Sequence, residues 1–130
     1  MVKMENYKSF NITEYPDKDI AEYLYQYHRG IENAVSNSRL ANKFQLDERR
    51  LRQIITKLIT VDLLPIGSCS INHSGIYFIA NEEDFLIAHR ELISRIKKLA
   101  KRARALRKAY NNYKNELVGK QLQLIEIGNE

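Results

Sequence analysis

Leu51, Ile54, Ile55 and Leu58 fall at helical spacing and define one apolar stripe. At about 100° per residue, the side chains most nearly opposite that stripe are Arg49, Gln53, Thr56 and Thr60. These types can read the edges of base pairs. An arginine donates two hydrogen bonds to guanine, a glutamine pairs with adenine, and a threonine methyl meets the methyl of thymine. Arg49, Gln53 and Thr56 are therefore the candidate base-reading residues. Arg50, Arg52 and Lys57 lie toward the shoulders and are candidate phosphate contacts, which set register on a duplex without reading sequence. Arg39 and Lys43, just upstream, extend that set. The same residue types also make an ordinary solvated helix face, so the surrounding elements must decide between the two.

Those elements have their own signals. Ser36 or Ser38 can cap a short helix whose inner face is Leu40, Ala41 and Phe44. Gln45 and Leu46 make a tight turn. Asp47 caps the helix that carries the candidate residues, and Glu48 complements its positive end. Leu63, Leu64 and Pro65 end it. Around Ile66, and from Ile76 to Ala80, the chain is strand-like. The intervening SCSINHSG holds turn formers, with Gly75 at an expected positive-φ position. Upstream, residues 1–15 read as an extended arm. A first helix opens at Pro16 or Asp17, with Ile20, Leu24, Tyr27 and Ile31 as its stripe, and Gly30 ends it as a left-handed cap. IENAV then leads to Ser36 with room for a brief sheet-closing strand.

Helix, turn, helix and hairpin, carried by SRLANKF, DERRLRQIITKLITVDLLPI and GIYFIA, resemble the winged helix-turn-helix superfamily. More narrowly, the order of winged helix, LPIGS-type wing and basic carboxy-terminal helix is similar to small phage and prophage proteins of Gram-positive bacteria. The resemblance implies sequence-specific double-stranded DNA binding in transcriptional or replicative control. By position it gives the base-reading role to Arg49, Gln53 and Thr56. One departure is the wing tip, Ser70 to Ser74, which has no Lys or Arg to hold phosphate.

From Glu82 to Leu117 the chain has no Pro or Gly. Leu92, Ile96, Leu99, Ala103, Leu106, Tyr110, Tyr113 and Leu117 alternate steps of four and three, which is the seam of a coiled coil. Residues 90–108 hold nine basic side chains and one acid, Glu91. With Leu92 at heptad position d, a parallel homodimer sets Arg102 against Arg107 of the partner, which disfavours that pairing. Three destinations remain for the seam: the helix at Asp17 to Arg29, a second copy with DNA or acidic groups offsetting the repulsion, or an acidic protein. Gly119 is expected to interrupt the helix, leaving 119–130 as a strand-like or docking tail.

Composition narrows the function classes. A chain of 130 residues with 44% hydrophobic content suits one domain and an appendage. The net charge of +5 favours a polyanionic partner. No window is apolar enough to span a membrane, and MVKMENYKSF lacks a signal-peptide core. With a lone cysteine, Cys69, that suggests a cytoplasmic protein, in the host bacterial cytoplasm if phage-encoded. His28, His73 and His89 are scattered, and Cys69 with His73 supplies only half of a structural zinc site. No phosphate-binding glycine loop, nucleophile motif or paired carboxylates appear, so no enzyme, metal or cofactor is expected. Tyr23, Tyr25 and Tyr27 lack the neighbouring cations that single-strand binding needs.

The expected architecture is mainly α with a small β wing, an α+β fold. It comprises an arm (1–15), a winged helix-turn-helix (16–81), a long basic helix for dimerisation or packing (82–118) and a tail (119–130). The expected function is a homodimeric DNA-binding regulator of phage or mobile-element type. The alternative is a winged-helix protein-interaction module, such as a phage-encoded adaptor or inhibitor of a host enzyme, with a host protein as partner.

Overall fold

The computed structural model describes residues 12–70 and 75–128. They are mainly helical, with one two-stranded antiparallel sheet. Residues 1–11 of the expected arm and residues 71–74 of the expected wing tip, His73 among them, lie outside the described residues.

Helix α1 (Asp17–Tyr27) starts after Pro16 and buries Ile20, Ala21 and Leu24. Its stripe is shorter than the expected one. The helix ends at Tyr27, which is exposed, and Ile31 falls in a separate 3-10 turn (Ile31–Asn33). The reason lies downstream. The backbone of His28 accepts from Phe78 N–H at 2.8 Å, and Gly30 N–H donates to the Phe78 carbonyl at 2.8 Å. Pairing with the hairpin takes over just where another helical turn would have formed. Gly30, at φ 90°, opens the 3-10 turn rather than capping α1, whose cap residue is His28.

Helix α2 (Asn37–Lys43) is capped by Ser36, whose Oγ accepts from Arg39 N–H at 3.2 Å. Gln45, at φ 55°, turns the chain. Helix α3 (Glu48–Thr60) is capped by Asp47, whose Oδ1 accepts from Arg50 N–H at 2.6 Å. Both caps satisfy amide groups that a helix start leaves open. At the far end Leu63, at φ 57°, reverses the chain and stays exposed, while Leu64 enters the core.

Strands β1 (Ile66–Cys69) and β2 (Gly75–Phe78) pair with Ile66 opposite Phe78 and Cys69 opposite Gly75. The other edge of β2 is engaged by single bridges, Val35 to Ile76 antiparallel and Arg29 to Phe78 parallel. Val35 thus occupies the place of the brief strand expected within IENAV, as a bridge and not a full strand. Gly75 has φ 147°, and a Cβ there would stand 2.2 Å from the Val35 carbonyl oxygen. The main core joins Ile20, Leu24, Leu40, Leu51, Ile54, Leu58, Leu64 and Ile76.

Helix α4 (Glu82–Gly128) starts after Asn81, whose Oδ1 accepts from Asp84 N–H at 2.9 Å, while Asp84 accepts from Ala80 N–H at 3.1 Å. The contacts divide the chain after Glu91 and not after residue 81. The first turns of α4 belong with the amino-terminal unit because Ala88 is buried with Cys69 and Tyr77, and Ser70 Oγ donates to Glu91 at 2.9 Å. The second unit, Leu92–Glu130, carries the remainder of the helix. Gly119 does not interrupt it, so the expected boundary at 118 and strand-like tail are replaced by continuous helix to Gly128. One glycine costs a helix about 1 kcal/mol against alanine, a penalty its helix-forming neighbours offset.

Candidate nucleic-acid interface

Helix α3 is amphipathic in fact as well as in pattern. Leu51, Ile54, Ile55 and Leu58 are buried, whereas Arg49, Arg50, Arg52, Gln53, Thr56 and Thr60 are exposed. Arg49, Arg52, Gln53 and Thr56 line one open depression. The structure therefore brings the three candidate base-reading side chains together and sets Arg52 among them. Arg52 is steadied by its own helix: Nε donates to the Glu48 carbonyl at 3.3 Å and the guanidinium lies 3.9 Å from the Glu48 carboxylate. The side chain remains 66% exposed, so this pairing leaves it accessible. Thr60 Oγ1 turns back to the Thr56 carbonyl at 2.7 Å, a bond internal to the helix.

On α2, Arg39 and Lys43 are exposed. The Lys43 ammonium sits 5.5 Å from the centre of the Tyr23 ring, within cation–π range. Arg50 is exposed at the start of α3.

Lys57 does not match its expected role. Its ammonium is held by Glu14 and, at 3.1 Å, by Asp17. Asp17 is almost fully buried, with 3% of its surface exposed. The hydrogen bond to Glu14, then that to Asp17, raises the Lys57 pKa above its ordinary 10.5. The bond from Lys57, then its charge, holds Glu14 below its ordinary 4.5. A cation already shared by two carboxylates is a tie between α3 and the amino-terminal end of α1, and a poor candidate for phosphate. In the sequence Asp17 is only an acid in a helix's first turn. Its partnership with a lysine 40 residues away has no local signal.

The seam residues of α4 stand in a different environment. Leu92, Ile96, Leu99, Leu106, Tyr110, Tyr113 and Leu117 are between 42% and 70% exposed, and Ala103 is exposed as well. Among the described residues no group of three or more His, Cys, Asp or Glu side chains could hold a metal ion, and no helix is long and apolar enough to cross a membrane.

Comparison with protein families, curated proteins and solved structures finds no match to this chain. Its own residues therefore carry the functional reading.

Proposed function

We propose that this chain is a winged-helix protein that binds double-stranded DNA through α3, with two copies joined along α4, in a regulatory role of the phage or mobile-element type. The observation that carries the reading is the grouping of Arg49, Gln53 and Thr56 with Arg52 on the exposed face of α3. A helix presented this way, after α2 and a tight turn and before a hairpin, suits insertion into a major groove. Arg39, Lys43, Arg50 and Arg52 are the supporting phosphate contacts, and the charge of +5 agrees with a polyanion. Lys57 leaves that set because of its two carboxylate partners.

The test is selection of bound sequences from random duplexes, followed by competition against unrelated DNA. Enrichment of a defined site, lost on substitution of Arg49 and Gln53, supports the reading. Equal retention of all duplexes, or of none, overturns it. The competing reading is a protein-interaction module. It draws on Val61 and Leu63, which are 67% and 73% exposed at the end of α3.

A further inference from the structure

The exposed seam of α4 and its flanking charges select one pairing geometry. We infer that two copies of α4 associate antiparallel, with Leu92 of one copy opposite Leu117 of the other. This deepens the dimer reading above and is independent of DNA binding.

The core layers favour this geometry. In an antiparallel pair, position a of one helix packs against position d of the other. The proposed register sets Ile96 against Tyr113, Leu99 against Tyr110 and Ala103 against Leu106, each layer repeated by symmetry. Each tyrosine meets an aliphatic side chain, and the small Ala103 meets a large Leu106, which is how facing positions fill space. In a parallel pair, like meets like. Ala103 would face Ala103 and leave a gap, and Tyr110 and Tyr113 would each face their own copies.

The flanks discriminate more sharply. An antiparallel pair brings g against g and e against e. The proposed register places Arg95 beside Glu116 of the other copy, twice, and Arg102 beside Ala109. On the other flank Ile93 meets Lys114 and Ala100 meets Arg107. No like charges meet across the flanks. Sliding by one heptad in one direction places Arg102 against its own copy. Sliding the other way does the same to Arg107. The parallel arrangement sets Arg102 against Arg107. Flanking charges of this kind set orientation and register in helix pairs. The contact is also closed and two-fold, with the axis passing between Arg104 and Ala105, so it stops at two copies.

The experiment uses the full chain. Sedimentation establishes the assembly state, and single-cysteine variants, made with the native Cys69 replaced by alanine, then report orientation under mild oxidation. Leu99→Cys mixed with Tyr110→Cys should give the mixed disulfide-linked dimer, with little linkage of Leu99→Cys to itself. Arg95→Glu and Glu116→Arg should each weaken the dimer roughly three- to tenfold by turning exposed attractive pairs repulsive. The double variant Arg95→Glu/Glu116→Arg should restore wild-type association. Restoration needs the two positions to face each other, which only this register provides. A dimer in which Leu99→Cys links to itself, with no rescue by the double swap, overturns the register and leaves the dimer reading standing. A chain that stays monomeric at every salt concentration overturns both.

Discussion

Lys57 of α3 donates to the buried carboxylate of Asp17 at 3.1 Å, and Glu14 shares the same ammonium. The bond fastens the candidate recognition helix to the start of α1. A buried carboxylate that loses its partner is costly, so Lys57→Ala should lower the denaturant midpoint. It should leave the slope of log affinity for DNA against log salt unchanged. Arg52→Ala should do the reverse, reducing the magnitude of that slope by about 0.9 with the midpoint unmoved. The pH dependence has a definite sign. The raised Lys57 pKa means its contribution is complete below 10.5 and lost as pH rises through the folded value. The lowered Glu14 pKa means its contribution is present above 4.5 and lost as pH falls through its folded value. The difference in midpoint between wild type and Lys57→Ala should therefore be flat through the neutral range and shrink at both extremes. Urea titrations across pH check this.

Gly67 and Tyr77 face each other across the hairpin, and a Cβ at Gly67 would lie 2.6 Å from the tyrosine ring. The ring cannot retreat easily. It is fully buried, and its hydroxyl donates to the Asp84 carbonyl at 3.4 Å. Burial pushes the Tyr77 pKa up to about 12. Gly67→Ala should cost about 1–3 kcal/mol by overpacking. Gly75→Ala should cost more, since its neighbour is backbone and its φ is 147°. Chemical denaturation of both variants measures the order. Equal stability of Gly67→Ala and wild type would show that the hairpin yields more readily than its packing suggests.

Features that depend on near neighbours are legible in the sequence. Ser36, Gln45, Asp47 and the α3 stripe act within a turn or two, and they appear where their chemistry places them. The tie made by Lys57 is not legible, because its partners are distant in sequence and exert no periodicity. Tyr27 and Ile31 mislead because helical spacing persists past the point where His28 and Gly30 pair with Phe78. Gly119 resembles a stop, but its small penalty is local while the preference for helix is shared by all its neighbours.

Gly119 stands in open space on α4, with nothing within 4 Å of an added Cβ. It lies off the a and d positions, so a methyl there leaves the seam untouched. Gly119→Ala should stabilise the helix by about 0.5–1 kcal/mol. Circular dichroism should show higher helicity and a higher melting temperature, with self-association unchanged.

Arg49 and Gln53 carry the specificity of the proposed interface. Each alanine substitution should cost about 1–3 kcal/mol at a preferred site and relax discrimination at one base position. Both side chains are exposed, so the fold should survive. Binding isotherms on the selected site and on single-base variants measure this. Full discrimination by both variants would move sequence reading away from α3.

The seam of α4 leaves large apolar side chains in water, a solubility liability unless something covers them. The nine cations between residues 90 and 108 repel a second copy at low ionic strength. Salt screens that repulsion, and the same salt displaces protein from a polyanion. Raising salt should thus strengthen self-association while weakening DNA binding, two opposite trends from one helix. Leu99→Glu with Leu106→Glu places carboxylates in the centre of the seam and should give a monomer. Because Leu99 and Leu106 lie outside the unit that ends at Glu91, that unit should remain folded. Sedimentation and near-ultraviolet dichroism of both proteins across a salt series decide the matter. A wild type monomeric at all salts, beside a double variant that has lost its tertiary signal, would instead place the seam in the protein's own core.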